Sequence, residues 1–411
     1  MKIAFISHEF PPDTGKGGIG TYVSQLAQAM AAQGNEVHVF AGSNFREGAV
    51  PSNGYITHRI RCLDGNDFKE KVVNIFSIQN EIAPFDLMES PEINGNAWQI
   101  KEHFPYIPLV VRLHAPNYLV ESLKKKYLPF LAKLRFVLGA VRRFKFDLGY
   151  WRRYDKSVDS DYHFIQLADF ITAPSEAMKA WVIDNWQLPP DKITVIPNIF
   201  SPSPGFLMIP VAEETNYKRI IFFGRLNALK GLVNATRAMK KILKKYPGWQ
   251  FRVIGDDGPG PDFTLSMRDW MKVQLKEVEN QVEFLDGMDY EDLPAAISDA
   301  EIVLLPSLFE SFSYTCAEAM AAGKAVIGSN NAGMADLIEN NKSGILVNPY
   351  SDSEIVTAIK KMIEENSFRV MVSENGRKRI INEFDSDKIR VEFSEFYEKV
   401  SRKQFVENKM V

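Results

Sequence analysis

The sequence predicts an α/β protein of two domains, each built on a mainly parallel sheet. Three observations carry this. With 411 residues the chain exceeds what one hydrophobic core usually serves. Short apolar runs without polar alternation, such as Ile3-Ala4-Phe5-Ile6, Ile302-Val303-Leu304-Leu305 and Ala325-Val326-Ile327, read as strands buried on both faces. Between such runs lie helix patterns with polar starts and glycine stops, as from Ser313 to Gly323.

Composition narrows the class. An apolar content of 45% and a charged content of 25% are those of a globular protein, and a formal net charge of −3 gives no global signal for a nucleic-acid partner. Cys62 and Cys316 make no disulfide framework and no metal cluster, which fits a reducing compartment. Met1-Lys2 leads straight into a short strand rather than a signal sequence, and no apolar run is long enough to span a bilayer. A cytoplasmic protein is expected.

After the opening strand come Ser7-His8-Glu9-Phe10-Pro11-Pro12 and Gly15-Lys16-Gly17-Gly18-Ile19-Gly20, then a helix from Thr21 to Ala32 and a strand at Val37-His38-Val39-Phe40. The glycines spell G-x-G-x-x-G, the dinucleotide fingerprint. Yet they come well after the strand, and no acidic residue follows the second strand to hold a cofactor ribose. Glycines before a helix also let backbone N–H groups approach phosphate, and a plain turn is the alternative. Residues 44–98 give mixed signals. Val110-Val111-Arg112-Leu113-His114 reads as a strand ending in a histidine, which suits a packed core residue and a functional one equally.

Residues 121–156 hold eleven basic and three acidic residues with aromatics interleaved, a local charge of +8. Solvated helix faces and an anionic membrane surface are both compatible with this. Asp159-Ser160-Asp161 spells D-x-D but lies away from the phosphate-type motifs, so no metal site is expected there. Pro202, Pro204 and Pro210 mark a linker, with a boundary near 203.

The second half opens with the strand Arg219-Ile220-Ile221-Phe222-Phe223, then Gly224, Arg225 and Lys230 around a turn. Arg and Lys there suit a diphosphate. Further strands are expected at 250–254 and 282–285. Downstream of Ile302-Val303-Leu304-Leu305, Glu310 lies in a loop and Glu318 near the second turn of an Ala-rich helix, roughly 12 Å apart at helical rise. Carboxylates accept paired hydrogen bonds from vicinal hydroxyls, so one ligand with hydroxyls at both ends and phosphate between would suit the pair. Helices are expected over 353–383, and a last one from Ser386 to Lys403.

Glu310 and Glu318 with their eight-residue spacing, and Gly224-Arg225-Leu226 with Lys230-Gly231, resemble the E-x7-E and G-R-L-x-x-x-K-G motifs of family 4, group 1 glycosyltransferases. The resemblance implies the GT-B fold: two Rossmann-like domains with parallel sheets facing across a cleft, expected here as 1–203 (acceptor), 204–384 (donor nucleotide) and a terminal helix, 385–411, returning to the first. It implies a retaining glycosyltransferase that moves a sugar from a UDP- or GDP-linked donor to a saccharide or lipid-linked acceptor in polysaccharide biosynthesis. No cofactor or metal and no protein nucleophile is expected. Glu318 is assigned to the ribose, Glu310 to the transferred sugar, Arg225 and Lys230 to the diphosphate, Gly17 and Gly18 to the donor phosphates, His114 to the donor sugar and Phe284 to the strand end beside the base. Gly224 and the loop residues Ser311, Phe312 and Ser313 complete the donor site. Many members carry glycine where this chain has Ser311 and Ser313. Work at the inner face of a membrane is consistent with the family. Epimerases of the same fold and non-catalytic nucleotide-sugar binders are the rival readings.

Overall fold

The computed structural model describes residues 1–15, 17–124, 126–128, 130–144, 154–211, 217–331 and 333–407, with the side chains of 131, 132 and 403–407 excluded. Of the basic segment, Lys125, Lys145, Arg152, Arg153 and the aromatics Phe146, Tyr150 and Trp151 lie outside the described residues.

The chain forms two units: Met1–Asn117 with Asp155–Ser201 and Phe384–Val411, and Tyr118–Tyr154 with Pro202–Glu383. The expected division at 203 did not foresee that 118–154 group with the second unit.

In the first unit, β1 (Lys2–Ser7), β2 (Glu36–Ser43), β3 (Gly48–Ser52), β4 (Tyr55–Arg61), β5 (Leu87–Pro91), β6 (Leu109–Arg112), β7 (Phe170–Ala173) and β8 (Ile193–Val195) form one sheet, in the order β3-β4-β2-β1-β5-β6-β7-β8. All pairings described are parallel except β3–β4. β1 is buried along its whole length, as its unbroken apolar run requires. Helix α1 (Gly18–Ala32) starts three residues earlier than the sequence suggests, because Gly17 serves as its N-cap.

The second unit's sheet comprises β9 (Arg219–Phe223), β10 (Gln250–Ile254), β11 (Val282–Leu285), β12 (Ile302–Leu305), β13 (Ala325–Ser329) and β14 (Ile345–Val347), in the order β11-β10-β9-β12-β13-β14. Every pairing is parallel. The order reverses between β9 and β12, and doubly wound sheets bind ligands outside the carboxyl ends of the strands at such a reversal. Helix α2 (Leu232–Lys245) follows β9, and α3 (Tyr314–Ala321) follows β12.

The terminal helix α4 (Ser386–Glu407) contributes Ile389, Phe393, Phe396, Tyr397 and Val400 to the core formed by β1, β2 and α1. The Tyr397 hydroxyl donates to Glu89 Oε2 at 2.6 Å, and Tyr22 of α1 donates to Oε1 of the same carboxylate at 2.7 Å. This buried carboxylate therefore joins α4, α1 and β5.

Candidate functional site

The turn after β9 is set by a glycine that no other residue can replace. Gly231 has φ +70°, and a Cβ there would fall 1.7 Å from the carbonyl oxygen of Pro306. The β9 turn thus rests on the chain leaving β12, and Leu308 N–H donates to the Leu229 carbonyl at 2.7 Å. Asn227 Oδ1 accepts the Lys230 N–H at 3.2 Å and fixes the short helical turn Ala228–Lys230. The consequence is a contact between the two motifs: Lys230 Nζ lies 2.5 Å from Glu310 Oε1. Arg225, just past Gly224, is exposed and forms no ion pair among the described residues.

The Glu310 loop is held from the other side by the segment after β13. Gly333 N–H donates to the Glu310 carbonyl at 2.7 Å, and Asn331 Nδ2 donates to Leu308 O at 3.2 Å. Phe312 is buried with its ring edge-on to Tyr314, centroids 5.4 Å apart, which anchors the loop between Ser311 and Ser313. Ser313 caps α3 through its hydroxyl, accepting from Cys316 N–H at 3.4 Å, and does so at φ +84°.

Glu318 sits one turn into α3 and is only 8% exposed. Its carboxylate accepts no hydrogen bond and meets no cation among the described residues. Burial accordingly pushes its pKa up to about 7. The nearby Tyr290 hydroxyl is raised by its own burial and by the Glu318 charge. Phe284 belongs to the edge strand β11, separated from β12 by β10 and β9, and Lys272 Nζ lies 5.8 Å from its ring centroid.

In the first unit, the glycine-rich loop separates into two kinds of position. A Cβ at Gly15 would meet Glu9 Cβ at 2.9 Å, and one at Gly20 would meet Gly15 O at 3.1 Å, so packing within the loop favours glycine at both positions. At Gly18 a Cβ would meet nothing within 4 Å, and at Gly17 only Glu9 Oε2 at 3.8 Å. Packing within the unit does not explain the pair Gly17-Gly18. Asp13 and Thr14 brace the approach to this loop: Asp13 Oδ2 accepts from Ser43 Oγ at 2.7 Å, and Thr14 Oγ1 donates to His8 O at 2.5 Å.

His114 lies two residues beyond the end of β6 and is 5% exposed. Burial, aided by the Arg112 charge, lowers its pKa to about 3, so the ring is neutral. Its Nε2 is buried without a hydrogen-bond partner, and Tyr22 meets the ring edge-on at 5.2 Å. The buried polar residues Glu89 and Glu92 lie in a stretch that gives only mixed signals in the sequence, and Arg112 lies in an otherwise apolar strand, so none of the three stands out. Asp159 and Asp161 both have structural uses: Asp159 caps the helix Ser160–Ile165, and Asp161 is buried against backbone N–H groups. Among the described residues no group of three or more ligand side chains could hold a metal ion.

Two family models match adjacent parts of the chain, Glycosyltransferase Family 4 over residues 16–203 and Glycosyl transferases group 1 over residues 208–379. The chain belongs to these glycosyltransferases. It is 23% identical to an uncharacterized glycosyltransferase of Methanocaldococcus jannaschii, over 97% of this chain and 98% of that one. The sucrose-phosphate synthase of Thermosynechococcus elongatus superposes with a TM-score of 0.73 at 21% identity, covering 97% of this chain and 98% of that chain. Anabaena HepE, solved in complex with UDP, superposes with a TM-score of 0.68 at 18% identity, covering 97% and 100%. The two α/β units with parallel sheets are those of the GT-B fold, and this glycosyltransferase is a transferase enzyme.

Proposed function

We propose that this glycosyltransferase moves a hexosyl group from a UDP- or GDP-linked donor to a hydroxyl of a saccharide or lipid-linked acceptor, with retention at the anomeric carbon. The observation that carries the donor reading is Glu318, a nearly buried carboxylate without a partner beside the reversal point of the second sheet. Leaving such a group unpaired costs about 1–3 kcal/mol or more, and two vicinal ribose hydroxyls would satisfy both of its oxygens.

Arg225 and Lys230 supply counter-charge for the leaving diphosphate, and Glu310, which Lys230 already holds, orients the transferred sugar. The N–H groups around Ser311, Phe312 and Ser313 face the sugar, Gly224 lets the backbone approach the phosphates, and Phe284 lies towards the base. In the first unit Gly17 and Gly18 leave open backbone for the donor phosphates, and His114 contacts the sugar. In the reaction the bond from the anomeric carbon to the diphosphate oxygen breaks. The acceptor oxygen bonds to the same face, and its proton passes to the departing phosphate. HepE being solved with UDP favours the uridine donor.

A lipid-linked acceptor and a peripheral position on an anionic membrane are supported by the helix Phe130–Arg142. Its residues Phe130, Leu134, Leu138 and Val141 recur at i, i+4, i+8 and i+11 and are exposed at 67%, 36%, 59% and 52%. They form one apolar stripe with Lys133, Arg135 and Arg142 beside it. Among the described residues no helix is long and apolar enough to cross a membrane.

The decisive experiment is a thermal-shift screen of UDP- and GDP-linked hexoses. A ligand at a hundred times its dissociation constant adds about 2.7 kcal/mol. A clear shift by one nucleotide class that Glu318→Ala removes supports the assignment, and equal shifts in both proteins refute it.

A further inference from the structure

Besides Glu89, the first unit contains two buried carboxylates, Glu92 and Asp161, that form no ion pair among the described residues, and both hold the loops around His114. Glu92 follows β5, and both of its oxygens accept the His114 backbone N–H at 2.9 Å. Asp161 lies at the start of the helix Ser160–Ile165. Its Oδ2 accepts Asn117 N–H at 2.8 Å and its Oδ1 accepts Asn94 N–H at 3.0 Å. Asn117 Nδ2 then donates to Asn94 Oδ1 at 3.1 Å. The loops after β5 and β6 are thereby cross-linked at three places.

The arrangement is costly. A buried carboxylate without a cation is tolerated only when N–H donors surround it, and here burial still raises both groups, Glu92 to about 8. The β5 loop also takes left-handed backbone at Asn94, φ +61°, and Gly95, φ +56°. A Cβ at Gly95 would lie 3.3 Å from the Phe164 and Trp98 rings, so packing over-determines this conformation. His114, whose N–H is held by Glu92, has a buried Nε2 without a hydrogen-bond partner. An unpaired imidazole nitrogen is able to accept a hydrogen bond from a ligand hydroxyl.

We propose that Glu92 and Asp161 are positioning residues: they fix the backbone of residues 113–117 so that His114 presents Nε2 to a hydroxyl of the bound sugar. This rests on the reading of His114 as a sugar contact. Glu92 does not touch the sugar. Its effect is transmitted through the His114 N–H, and a misplacement of about 1 Å at a reacting centre can cost about a hundredfold in rate.

The test is a double-mutant cycle on the full chain, measuring nucleoside diphosphate release from the UDP- or GDP-linked hexose selected by thermal shift, with water as acceptor. Assayed above pH 8, where Glu92 is ionised, Glu92→Gln keeps the volume and removes one acceptor oxygen. It is expected to lower kcat by about 10- to 100-fold with donor KM changed less than about twofold. Added to His114→Ala, it should cause no further loss, because the residue it positions is already gone. Amide exchange at His114 and Asn117 should quicken in Glu92→Gln at an unchanged Tm. If Glu92→Gln does not fold, Asp161→Asn enters the same cycle. Wild-type kcat in Glu92→Gln, or losses that multiply in the double variant, overturn the positioning role while leaving His114 in the site. Wild-type turnover in His114→Ala overturns the reading of His114 and this assignment with it.

Discussion

Lys230 and Glu310, eighty residues apart, form an ion pair of 2.5 Å that is 23% and 17% exposed on its two side chains. In the proposed donor site this pair would hold the Lys230 ammonium beside Glu310 until a diphosphate binds. The two partners should therefore respond differently to substitution. Lys230→Ala removes counter-charge from the phosphates and should weaken UDP binding by about tenfold, near 1.4 kcal/mol, with a larger fall in kcat. Glu310→Gln frees the ammonium and should leave UDP affinity equal or tighter while turnover falls. Calorimetry with UDP, alongside turnover assays, separates them, and equal losses of affinity in both variants would show the pair to be only structural.

Glu318 makes the stability of the free protein depend on pH. Its folded pKa of about 7 lies above the ordinary 4.5, so the folded state binds more protons over that interval. The resulting stability is fully present below about pH 4.5 and is lost as pH rises through 7, a swing of about 3 kcal/mol. Glu318→Gln should flatten this dependence and raise Tm at pH 8 while abolishing donor binding. Nucleotide binding near pH 7 should release a proton, since the hydroxyls need the ionised carboxylate. Calorimetry in buffers of different ionisation enthalpy measures that release. An identical Tm profile in the variant, or binding without proton release, would show that Glu318 is not the group involved.

The strands β1, β9, β12 and β13 are legible in the sequence because each is buried on both faces and so lacks polar interruption. The residues proposed for the donor site stand out because they lie close in sequence to such strands. β3 is not, because its residues are exposed and carry no pattern against a core. Nor are the roles of Glu92 and Asp161: an acidic residue reads as solvated, and the burial of Asp161 depends on a loop sixty-seven residues away. The grouping of 118–154 with the second unit rests on contacts such as Lys126 over the Tyr350 ring and Asn234 with the Tyr127 hydroxyl, which no local pattern encodes.

Ser313 adopts φ +84° at a position where many relatives in the resemblance carry glycine. A left-handed non-glycine residue costs about 1–3 kcal/mol, against about 0.5–1 kcal/mol for the extra chain entropy of glycine. The cap to Cys316 N–H is long at 3.4 Å and offsets little. Ser313→Gly should therefore stabilise the free protein by about 1 kcal/mol and raise Tm by about 2 °C. Ser313→Ala, which keeps the strain and loses the hydroxyl, should lower Tm. A fall of Tm in both would show that the serine hydroxyl outweighs the backbone strain.

The membrane reading is best tested on the helix Phe130–Arg142 rather than on the lysines before it. Lys124 is paired with Glu121 at 2.8 Å, and Lys126 lies over the Tyr350 ring at 3.2 Å, so their charges are engaged within the protein. Leu138 and Val141 are 59% and 52% exposed and can be changed without opening the core. Each apolar side chain inserted at an interface contributes on the order of 1 kcal/mol, and each basic residue beside anionic lipid about the same. Leu138→Glu with Val141→Glu should therefore reduce co-sedimentation with phosphatidylglycerol-containing vesicles by at least about tenfold, at both low and high salt. Lys133→Glu with Arg135→Glu should weaken binding mainly at low salt, because only the screened component is lost. Neutral vesicles should bind the native chain weakly throughout. Binding that survives both pairs of changes, or that ignores lipid charge, would reject the helix as a membrane contact. It would favour a soluble saccharide acceptor, with the donor half of the mechanism untouched.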